Sequence, residues 1–336
     1  MRVAAQVGFD GPDSIEVQER PDPEPDEGEA VVDVAAAATN HHDLWFMYAP
    51  SRLVGEDDLP FVPGLDCAGT VREAPDDASV EPGDRVVLCP NQTCGTCEFC
   101  REGPENLCER FSLFHGAFAE QVAVPADRLV PLPEGVDLGH AAALPTAYMT
   151  AYHMIKKAGT EPGDLVVVPG ATGGVGVAAI QLLDAMGARS VGTSTSARKL
   201  AELEALGVDH TVQSADVDEI AAELQDLGRA DAMLNHLGGE YTSLGVKAVK
   251  RGCPVVICGR TAGGVSEIDV QRLFLSHKEV IGSTMGTQGD LAAIVQLVAD
   301  GHFEPAIGEE YALDETDRAF HDMEDRDAFG QQLIRP

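Results

Sequence analysis

The sequence predicts an α/β protein, in which a β-rich, barrel-like domain is joined to a doubly wound parallel sheet. Short apolar runs separated by Pro and Gly fill residues 1–130, as is typical of β-rich domains. From about Leu144, apolar strands alternate with helical patterns, which indicates parallel βαβ units with right-handed crossovers. A length of 336 residues, 44% of them apolar, is enough for two domains with packed cores.

The strands of the first domain are predicted wherever an apolar run is bounded by turn residues. Clusters such as "PDPEPDEG" and "EPGD" supply those boundaries. The predicted strands are "EAVVDVAAAA" from Glu29, "CAGTVRE" from Cys67, "DRVVLCP" from Asp84 and "EQVAV" from Glu120. A cysteine-rich segment, residues 89–110, interrupts them and is expected to form a separate lobe.

The second half begins with the helical stretch "LPTAYMTAYHMIKKAG", which leads to the strand "DLVVVPG". Further strands, each after a helix, are predicted at "SVGTS", "HTVQ", "DAMLNHL" and "PVVICG". We expect "PVVICG" to form the edge of the parallel sheet, where a second subunit could pair with it. After "EVIGSTMG" the pattern predicts a short helix, a strand at "EEYAL" and a last helix before Pro336.

Four of the eight cysteines lie within the stretch "CGTCEFCREGPENLC". This C-x₂-C-x₂-C-x₇-C spacing predicts a zinc site made by Cys94, Cys97, Cys100 and Cys108. Four thiolates saturate a tetrahedral zinc and leave no open position for substrate, so we expect one structural zinc per chain. The other cysteines are scattered through apolar segments and are expected to be small buried side chains, not disulfides.

The segment "VVVPGATGGVG" predicts the binding site of a dinucleotide cofactor. It places Ala171, Gly173 and Gly176 in the order A-x-G-x-x-G, with Gly174 and Val175 between the last two. Small residues allow a tight turn and close approach of a pyrophosphate to the helix N-terminus. A plain strand–helix turn would look similar, but the flanking strand, helix and repeated βα units match a Rossmann fold.

The end of the next strand indicates which nicotinamide cofactor is preferred. An NAD site would place Asp or Glu there to bind the ribose hydroxyls. The chain has "GTSTSARK" instead, so Ser194, Arg198 and Lys199 are predicted to bind the 2′-phosphate of NADPH. The competing interpretation is a solvated start of a helix.

Charge excludes several classes of partner. Asp and Glu number 56 against 23 basic residues, only six of which are lysine, and the net charge is −33. Such a surface repels nucleic acid and anionic membranes. Because the acidic residues are spread along the chain, we interpret them as adaptation to molar salt. Without a signal-peptide pattern or an apolar run of 18 residues, a cytoplasmic location is expected.

These features together resemble the medium-chain dehydrogenase/reductase superfamily. The stretches "ATNHHDLW", "LPTAYMTAY", "GATGGVG" and "IGSTMGT" and the cysteine lobe are similar to its zinc-binding alcohol-dehydrogenase-like, quinone-reductase-like and acryloyl-CoA-reductase-like branch. The resemblance implies a GroES-like catalytic domain in residues 1–144 and 284–336, with the zinc lobe at 89–110. It implies a Rossmann domain in residues 145–283.

The resemblance also shows what this chain lacks. Alcohol dehydrogenases of the family carry a catalytic zinc, and its ligand positions correspond here to Asn40, Leu65 and Thr146. These side chains do not make the nitrogen and sulfur site that catalytic zinc uses. Whether other side chains rebuild a second metal site stays open at this level; the candidates are His41, His42, Asp66 and His115.

Without a Lewis acid, nothing stabilises the alkoxide formed when hydride leaves an alcohol. An activated C=C bond or a quinone carries its own carbonyl to absorb the charge, so it needs only hydride geometry and hydrogen-bond donors. The family's zinc-free reductases work in this way. The resemblance therefore implies an NADPH-dependent reductase of enoyl thioesters, enones or quinones, acting on a small molecule as a homodimer or homotetramer. The alternatives are a zinc-dependent alcohol dehydrogenase with unusual ligands and a non-catalytic NADPH-binding protein.

Residue roles follow from the resemblance. Asn40 and Asp43 are expected to line the nicotinamide pocket, and His42 is the candidate proton donor, with water as the alternative. The expected substrate-pocket residues are Trp45, Tyr48 and Thr146. Thr150 and the loops at Gly259 and Gly282 are expected to contact the cofactor.

Overall fold

The computed structural model describes residues 1–51 and 54–336. These residues form two compact units. The first unit comprises Met1–Thr146 and Thr287–Pro336, and the second comprises Ala147–Gly286. The chain thus leaves the first unit once, forms the second, and returns.

Seventeen strands and eleven helices are found among the described residues. The strands are β1 (Arg2–Gln6), β2 (Ile15–Glu19), β3 (Glu29–Ala38), β4 (Asp66–Glu73), β5 (Arg85–Leu88), β6 (Asn91–Gln92), β7 (Ser112–Leu113), β8 (Gln121–Pro125), β9 (Leu129–Pro131), β10 (Leu165–Val168), β11 (Arg189–Ser194), β12 (His210–Gln213), β13 (Ala232–Asn235), β14 (Pro254–Ile257), β15 (Glu279–Gly282), β16 (Ile307–Ala312) and β17 (Gln331–Arg335).

The helices are α1 (His41–Phe46), α2 (Glu98–Glu102), α3 (Leu138–Ala142), α4 (Met149–Ala158), α5 (Gly174–Ala185), α6 (Ala197–Glu204), α7 (Val217–Asp226), α8 (Glu240–Ala248), α9 (Val270–Leu275), α10 (Gln288–Ala299) and α11 (Thr316–Glu324). A single π-helical turn, Leu144–Tyr148, precedes α4. None of the helices in the described part of the chain is long and apolar enough to cross a membrane.

The first unit is built around one large sheet of order β16-β17-β3-β4-β5-β9, with β8 also paired to β3. The long strand β3 pairs with β4 through two register shifts, which bend the sheet. At this bend a Cβ on Gly69 would lie 2.0 Å from the carbonyl oxygen of Asp33, so only glycine fits. Valine and alanine side chains from the strands fill the core, together with Phe118 and Phe320 at 5.8 Å in an edge-to-face arrangement.

The second unit contains a six-stranded sheet of order β12-β11-β10-β13-β14-β15, in which every pairing is parallel. The central strand β10 is apolar and buried along its whole length, as expected for a sheet covered on both faces. The strand order reverses between β10 and β13, and this switch point at the carboxyl ends is where such sheets bind ligands. The predicted α/β fold is confirmed.

Two details differ from the expectations. The "PVVICG" strand, β14, is not the edge of the sheet, because β15 pairs with its outer side. The edge is therefore β15, whose side chains are mostly exposed. The chain also ends in a strand that was not predicted, β17, which lies between β16 and β3. Its "QQLIR" sequence has only two apolar residues, and its two glutamines are buried, so no apolar alternation marks it.

Candidate active site and metal centre

A buried carboxylate, Asp66, joins two of the residues predicted at the substrate pocket. Asp66 begins β4 and accepts a hydrogen bond from Asn40 Nδ2 at 3.0 Å. It also accepts from Thr146 twice, through the hydroxyl at 2.7 Å and through the backbone N–H at 3.1 Å. Asn40 and Asp66 are buried, whereas Thr146, in the π-helical turn, is only half-buried. Of these three residues, Thr146 is the most exposed.

This cluster includes two of the positions that hold zinc ligands in the family's alcohol dehydrogenases. The third position, Leu65, is fully buried. The Asn40 amide also donates a hydrogen bond to the carbonyl of Ala38, at 3.4 Å. Asn40 and Thr146 donate to Asp66 or to the Ala38 carbonyl, and Leu65 offers no ligand atom, so these three side chains do not fit a catalytic zinc.

Asp43 fixes the loop that carries this cluster. It lies at the third position of α1, and its carboxylate accepts from the backbone N–H of Asn40 at 3.1 Å and of Gly64 at 3.0 Å. Asn40 is the N-cap of α1, so the aspartate closes one half of a capping box. Gly64 has φ +99°, and a Cβ there would lie 2.9 Å from Phe118, so this close approach needs glycine.

Burial raises the pKa of both aspartates. The pKa of Asp43 rises to about 7, mainly because its carboxylate is desolvated, and the charge of Asp66 adds to the rise. Desolvation raises the pKa of Asp66 to about 6, although hydrogen bonds from Thr146 and Asn40 oppose it. Near the positions that bind the catalytic zinc in alcohol dehydrogenases, this unit thus carries two buried carboxyl groups whose pKa values are raised.

His42, the candidate proton donor, stacks on His115. Their ring centroids are 5.4 Å apart and the planes are inclined by 18°. Phe46 contacts both rings edge-on, and Phe61 contacts His115. Burial lowers the pKa of each histidine to about 4. His42 Nε2 and both ring nitrogens of His115 are buried without a hydrogen-bond partner among the described residues. Both imidazoles are therefore neutral at pH 7.

The predicted wall residues lie at the exposed end of α1. Trp45 is 38% exposed and Tyr48 is 52% exposed. The Tyr48 hydroxyl hydrogen-bonds Glu324 on α11, and its ring lies over Gly11. His41 is exposed at the start of the helix. Of the side chains proposed to rebuild a second metal site, His42 and His115 stack on each other, but within residues 1–51 and 54–336 the only group of three or more potential ligands is the cysteine cluster.

The four lobe cysteines converge as the spacing predicts. The sulfurs of Cys94, Cys97, Cys100 and Cys108 lie within 4.8 Å of one another. The Cys94–Cys100 and Cys97–Cys100 sulfur distances are 3.9 and 3.4 Å. A tetrahedral site with bonds of about 2.3 Å requires sulfurs roughly 3.8 Å apart, so the residues fit zinc.

The electrostatics of the lobe also favour a cation. Backbone N–H groups of Cys94 and Arg110 donate to the sulfur of Cys108, both at 3.3 Å. Hydrogen bonds from Thr96 lower the pKa of the Cys94 thiol to about 5, whereas desolvation and neighbouring thiols raise that of Cys100 to about 11. Four thiolates this close cannot all ionise unless a cation sits between them.

Arg128 attaches the lobe to the rest of the first unit. Its guanidinium contacts Glu105 at 3.3 Å and Thr93 at 3.2 Å. Glu105 also accepts the backbone N–H of Gln288, at the start of α10, at 2.9 Å. The sequence did not predict this anchor. Arg128 and Glu105 are 23 residues apart, Glu105 and Gln288 are 183 residues apart, and no local pattern links them.

In the second unit, the Gly-rich turn has the shape that a pyrophosphate needs. A Cβ on Gly176 would lie 2.6 Å from the Cα of Ala171, so the helix α5 packs against the turn only with glycine there. A Cβ on Gly173 would meet nothing nearer than 3.9 Å, which leaves open space in front of the turn. Gly174 and Val175 form the first turn of the twelve-residue helix α5, whose free N–H groups favour an anion.

The predicted phosphate-binding residues lie at the end of β11 and the start of α6. Ser194 Oγ is 3.3 Å from Thr172 Oγ1 of the Gly-rich turn. Arg198 is 63% exposed and forms an ion pair with Glu202 one turn along the helix. Lys199 is only 7% exposed. Of the two cations, only Arg198 therefore presents its charge to solvent.

Of the remaining cofactor candidates, Gly259 and Gly282 lie at the carboxyl ends of β14 and β15, and Thr150 lies in the first turn of α4. A Cβ on Gly259 would lie 1.9 Å from the carbonyl oxygen of His236, so the two loops touch there. The carbonyl of Gly282 accepts from Lys157 Nζ at 2.7 Å. Thr150 is buried, and its hydroxyl lies 3.8 Å from the sulfur of Met285.

Sequence reasoning missed Asn235 at this edge. It is fully buried at the end of β13, and its Oδ1 accepts the backbone N–H groups of Leu237 and Gly238 at 3.0 and 2.9 Å. Its amide donates to Thr242 at 3.2 Å, which fixes the loop on to α8. The sequence feature that could have indicated Asn235 is an asparagine directly after the apolar run "AML" of the predicted strand.

Two protein families match the chain. Residues 26–134 match the alcohol dehydrogenase GroES-like domain, and residues 174–300 match the zinc-binding dehydrogenase family. The first match lies in the first unit; the second runs from the Gly-rich turn of the second unit into α10.

Individual relatives span nearly the whole chain. An acryloyl-coenzyme A reductase of Sulfurisphaera tokodaii is 27% identical over 95% of this chain and 96% of its own. An alcohol dehydrogenase of Geobacillus stearothermophilus is 28% identical over 96% of both chains. A crystal structure of an NAD-dependent alcohol dehydrogenase superposes with a TM-score of 0.90, at 34% identity and 100% coverage of both chains.

Proposed function

This chain belongs to the medium-chain dehydrogenase/reductase superfamily, and we propose that it is an NADPH-dependent reductase of activated C=C bonds or quinones that uses no catalytic metal. The observation that carries the proposal is the hydrogen-bonded cluster of Asn40, Asp66 and Thr146. It includes two of the three positions where a catalytic zinc would be bound, and it contains a carboxylate but no cation.

The charge of this cluster supports the reductase over the alcohol dehydrogenase. Oxidation of an alcohol passes through an alkoxide, which a buried carboxylate repels and a zinc ion stabilises. Reduction of an enone, enoyl thioester or quinone places the negative charge on the substrate's own carbonyl, where one hydrogen-bond donor suffices. When bound, the reduced nicotinamide would supply the hydride.

In this proposal the chain's own residues position and polarise the substrate. Thr146 donates its hydroxyl to the substrate carbonyl when Asp66 is protonated, Asn40 orients Asp66, and Asp43 holds the backbone of Asn40. The exposed faces of Trp45 and Tyr48 form the wall of the pocket. The Gly-rich turn binds the pyrophosphate, as its open space and helix N-terminus favour.

The comparisons support a reductase and also keep one alternative. Acryloyl-coenzyme A reductases are among the relatives, which favours an enoyl thioester as substrate. Relatives named alcohol dehydrogenase are equally similar, so a zinc-dependent alcohol dehydrogenase is the second candidate. The absence of nitrogen and sulfur ligands at Asn40, Leu65 and Thr146 argues against it.

We further propose one structural zinc per chain, held by the four lobe cysteines, and preference for NADPH through Ser194 and Arg198. The exposed edge strand β15 and the exposed apolar side chains of Val270, Phe274 and Leu275 on α9 favour pairing with a second copy. Light scattering tests the last point: a dimer or tetramer is expected, and a monomer contradicts it.

A substrate panel tests the function. We expect oxidation of NADPH by crotonyl-CoA, a small enone or a quinone in molar salt, and little reduction of NADP⁺ by ethanol. Each substrate is assayed with both cofactors, and the heat-denatured protein is the control. Turnover of the alcohol without turnover of any alkene or quinone would support the second candidate instead.

A further inference from the structure

Thr146 lies in the π-helical turn, is partly exposed, and hydrogen-bonds the buried Asp66 carboxylate through its hydroxyl. Its oxygen is 2.7 Å from Asp66 Oδ1, and it donates to that oxygen. Asp66 is fully buried, whereas Thr146 is half-buried. Asn40 binds the other carboxylate oxygen at 3.0 Å, which fixes the orientation of the carboxyl group. Of these three side chains, Thr146 is therefore the group through which a proton can pass between Asp66 and a bound molecule.

We propose that Thr146 and Asp66 form a two-step proton path, in which Thr146 protonates the reduced substrate and Asp66 returns a proton to Thr146. This inference rests on the proposed reductase function and assigns its proton donor. Thr146 touches the substrate, and Asp66 acts through Thr146 as a positioning residue.

The protonation state of Asp66 sets the direction of the Thr146 hydroxyl. When Asp66 is ionised, the hydroxyl donates inward, as its hydrogen bond shows. When Asp66 is protonated, the carboxylic acid can donate to Thr146 Oγ1, and the threonine hydrogen is free to point to a substrate oxygen or carbon. Thr146 is thus a donor toward the substrate only while Asp66 holds a proton.

The step balances. Hydride addition to the β-carbon moves the C=C electron pair on to the α-carbon and carbonyl, giving an enolate. The O–H bond of Thr146 breaks and a bond from its hydrogen to the α-carbon or oxygen forms. The O–H bond of Asp66 breaks and the hydroxyl of Thr146 is restored. Asp66 is left as a carboxylate, which water reprotonates after the product leaves.

The surroundings of Asp66 raise its protonated fraction above that of an exposed aspartate. Burial raises its pKa to about 6. The other titratable groups that sense its charge are Asp43 on α1, Cys67 beside it on β4, and Cys89 after β5. All three are neutral or negative, so none stabilises the carboxylate. His42 is the competing donor, but burial lowers its pKa to about 4, so at any pH a smaller fraction of His42 than of Asp66 holds its acidic proton.

Infrared spectroscopy tests the coupling between Asp66 and Thr146 without any turnover. The carbonyl band of buried carboxylic acids should contain a component that titrates near pH 6 in the wild type and is missing in Asp66→Asn, whereas the Asp43 component, which titrates near pH 7, remains. Thr146→Val removes a hydrogen bond to the carboxylate, so it should raise the midpoint by about one pH unit. Thr146→Ser should restore the wild-type midpoint. Thr70→Val makes the same change at a half-buried threonine of β4 and should leave it unchanged. A midpoint that ignores Thr146→Val would overturn the inference.

Kinetics test the second half. The reductase kcat should fall as pH rises through the Asp66 midpoint, because the protonated acid is required. Thr146→Val and Asp66→Asn should each lower kcat about 100-fold with little change in KM, and Asp66→Asn should abolish the pH dependence. Thr146→Ser should recover most activity. If His42→Gln removes the pH dependence instead, the proton path is wrong although the reductase stands. If no substrate turns over, the proposed function fails, and the infrared result still decides the Asp66–Thr146 coupling.

Discussion

At the scale of single residues, Arg198 is the residue on which cofactor choice depends. Its guanidinium is exposed and pairs with Glu202, whereas Lys199 is buried and cannot present its charge in the same way. Sequence spacing predicted both cations as equals. The structure separates them because successive residues of an amphipathic helix face different sides, and Lys199 lies among the buried residues of α6.

The prediction for Arg198 concerns the ratio of the two cofactors. Arg198→Ala should raise the KM for NADPH several-fold and leave that for NADH nearly unchanged, since only NADPH carries the 2′-phosphate. Arg318→Ala, which removes a similarly exposed arginine paired along α11 in the first unit, is the matched control. Equal losses for both cofactors would show that the phosphate binds elsewhere.

Asp66 gives a prediction on stability. Its folded pKa, about 6, is above the unfolded value of about 4, so the stability it contributes is present below pH 4 and lost as pH rises through 6. Asp66→Asn lacks this dependence. As pH rises from 4 to 7, the unfolding free energy of the variant should therefore increase relative to that of the wild type, by about 3 kcal/mol at most.

Repulsion from the remaining acidic surface is common to both proteins and cancels in this difference. Asp77→Asn, at an exposed position, is the control, and its unfolding free energy should change with pH as that of the wild type does. A constant difference between the wild type and Asp66→Asn across this range would mean that Asp66 is ionised as easily in the folded protein as in the unfolded chain.

At the scale of elements, the cysteine lobe was predictable and its attachment was not. The ligand spacing lies within fifteen residues of sequence, so the four sulfurs had to meet. The Arg128 anchor and the stacking of His42 on His115 join elements far apart in the chain. The final strand β17 was not predicted for a related reason. It has only two apolar residues, and its burial depends on neighbouring strands that are distant in the sequence.

The lobe should contribute stability rather than chemistry. Replacing Cys97 by Ser leaves three thiolates for the metal and should lower the melting temperature by several degrees, because binding energy at a structural site is folding energy. Cys253→Ser changes a half-buried cysteine outside the lobe and is the control. The folded fraction of Cys97→Ser should keep most of its turnover. Loss of turnover in protein that is still folded would give the lobe a direct role in the reaction.

At the scale of the whole molecule, the alternation of strands and helices was enough to predict the parallel sheet, but not which strand forms its edge. That depends on how many crossovers follow β14, and the segment "EVIGS" adds one more strand. Net charge is the other property of the whole molecule. At −33, repulsion between like charges opposes the compact state, and dissolved ions screen that repulsion.

Stability should therefore rise with salt. The Debye length falls from about 10 Å at 0.1 M to about 3 Å at 1 M, so repulsion between surface carboxylates weakens over that range. The melting temperature should increase steadily from millimolar to molar KCl. Sucrose at matched water activity is the control, because it screens no charge. A melting temperature that stays flat would contradict adaptation to high salt.

The central claim is that reduction proceeds without a metal at Asn40, Leu65 and Thr146, and metal content measured alongside turnover tests it most directly. Protein purified in zinc-supplemented medium is analysed for metal, then dialysed against increasing chelator while enone or enoyl-CoA reduction is followed. The account predicts one zinc per chain and a turnover per folded protein that does not vary with any further metal. Two zinc ions per chain, with turnover lost in step with the second and restored when it is added back, would contradict it and favour the alcohol dehydrogenase.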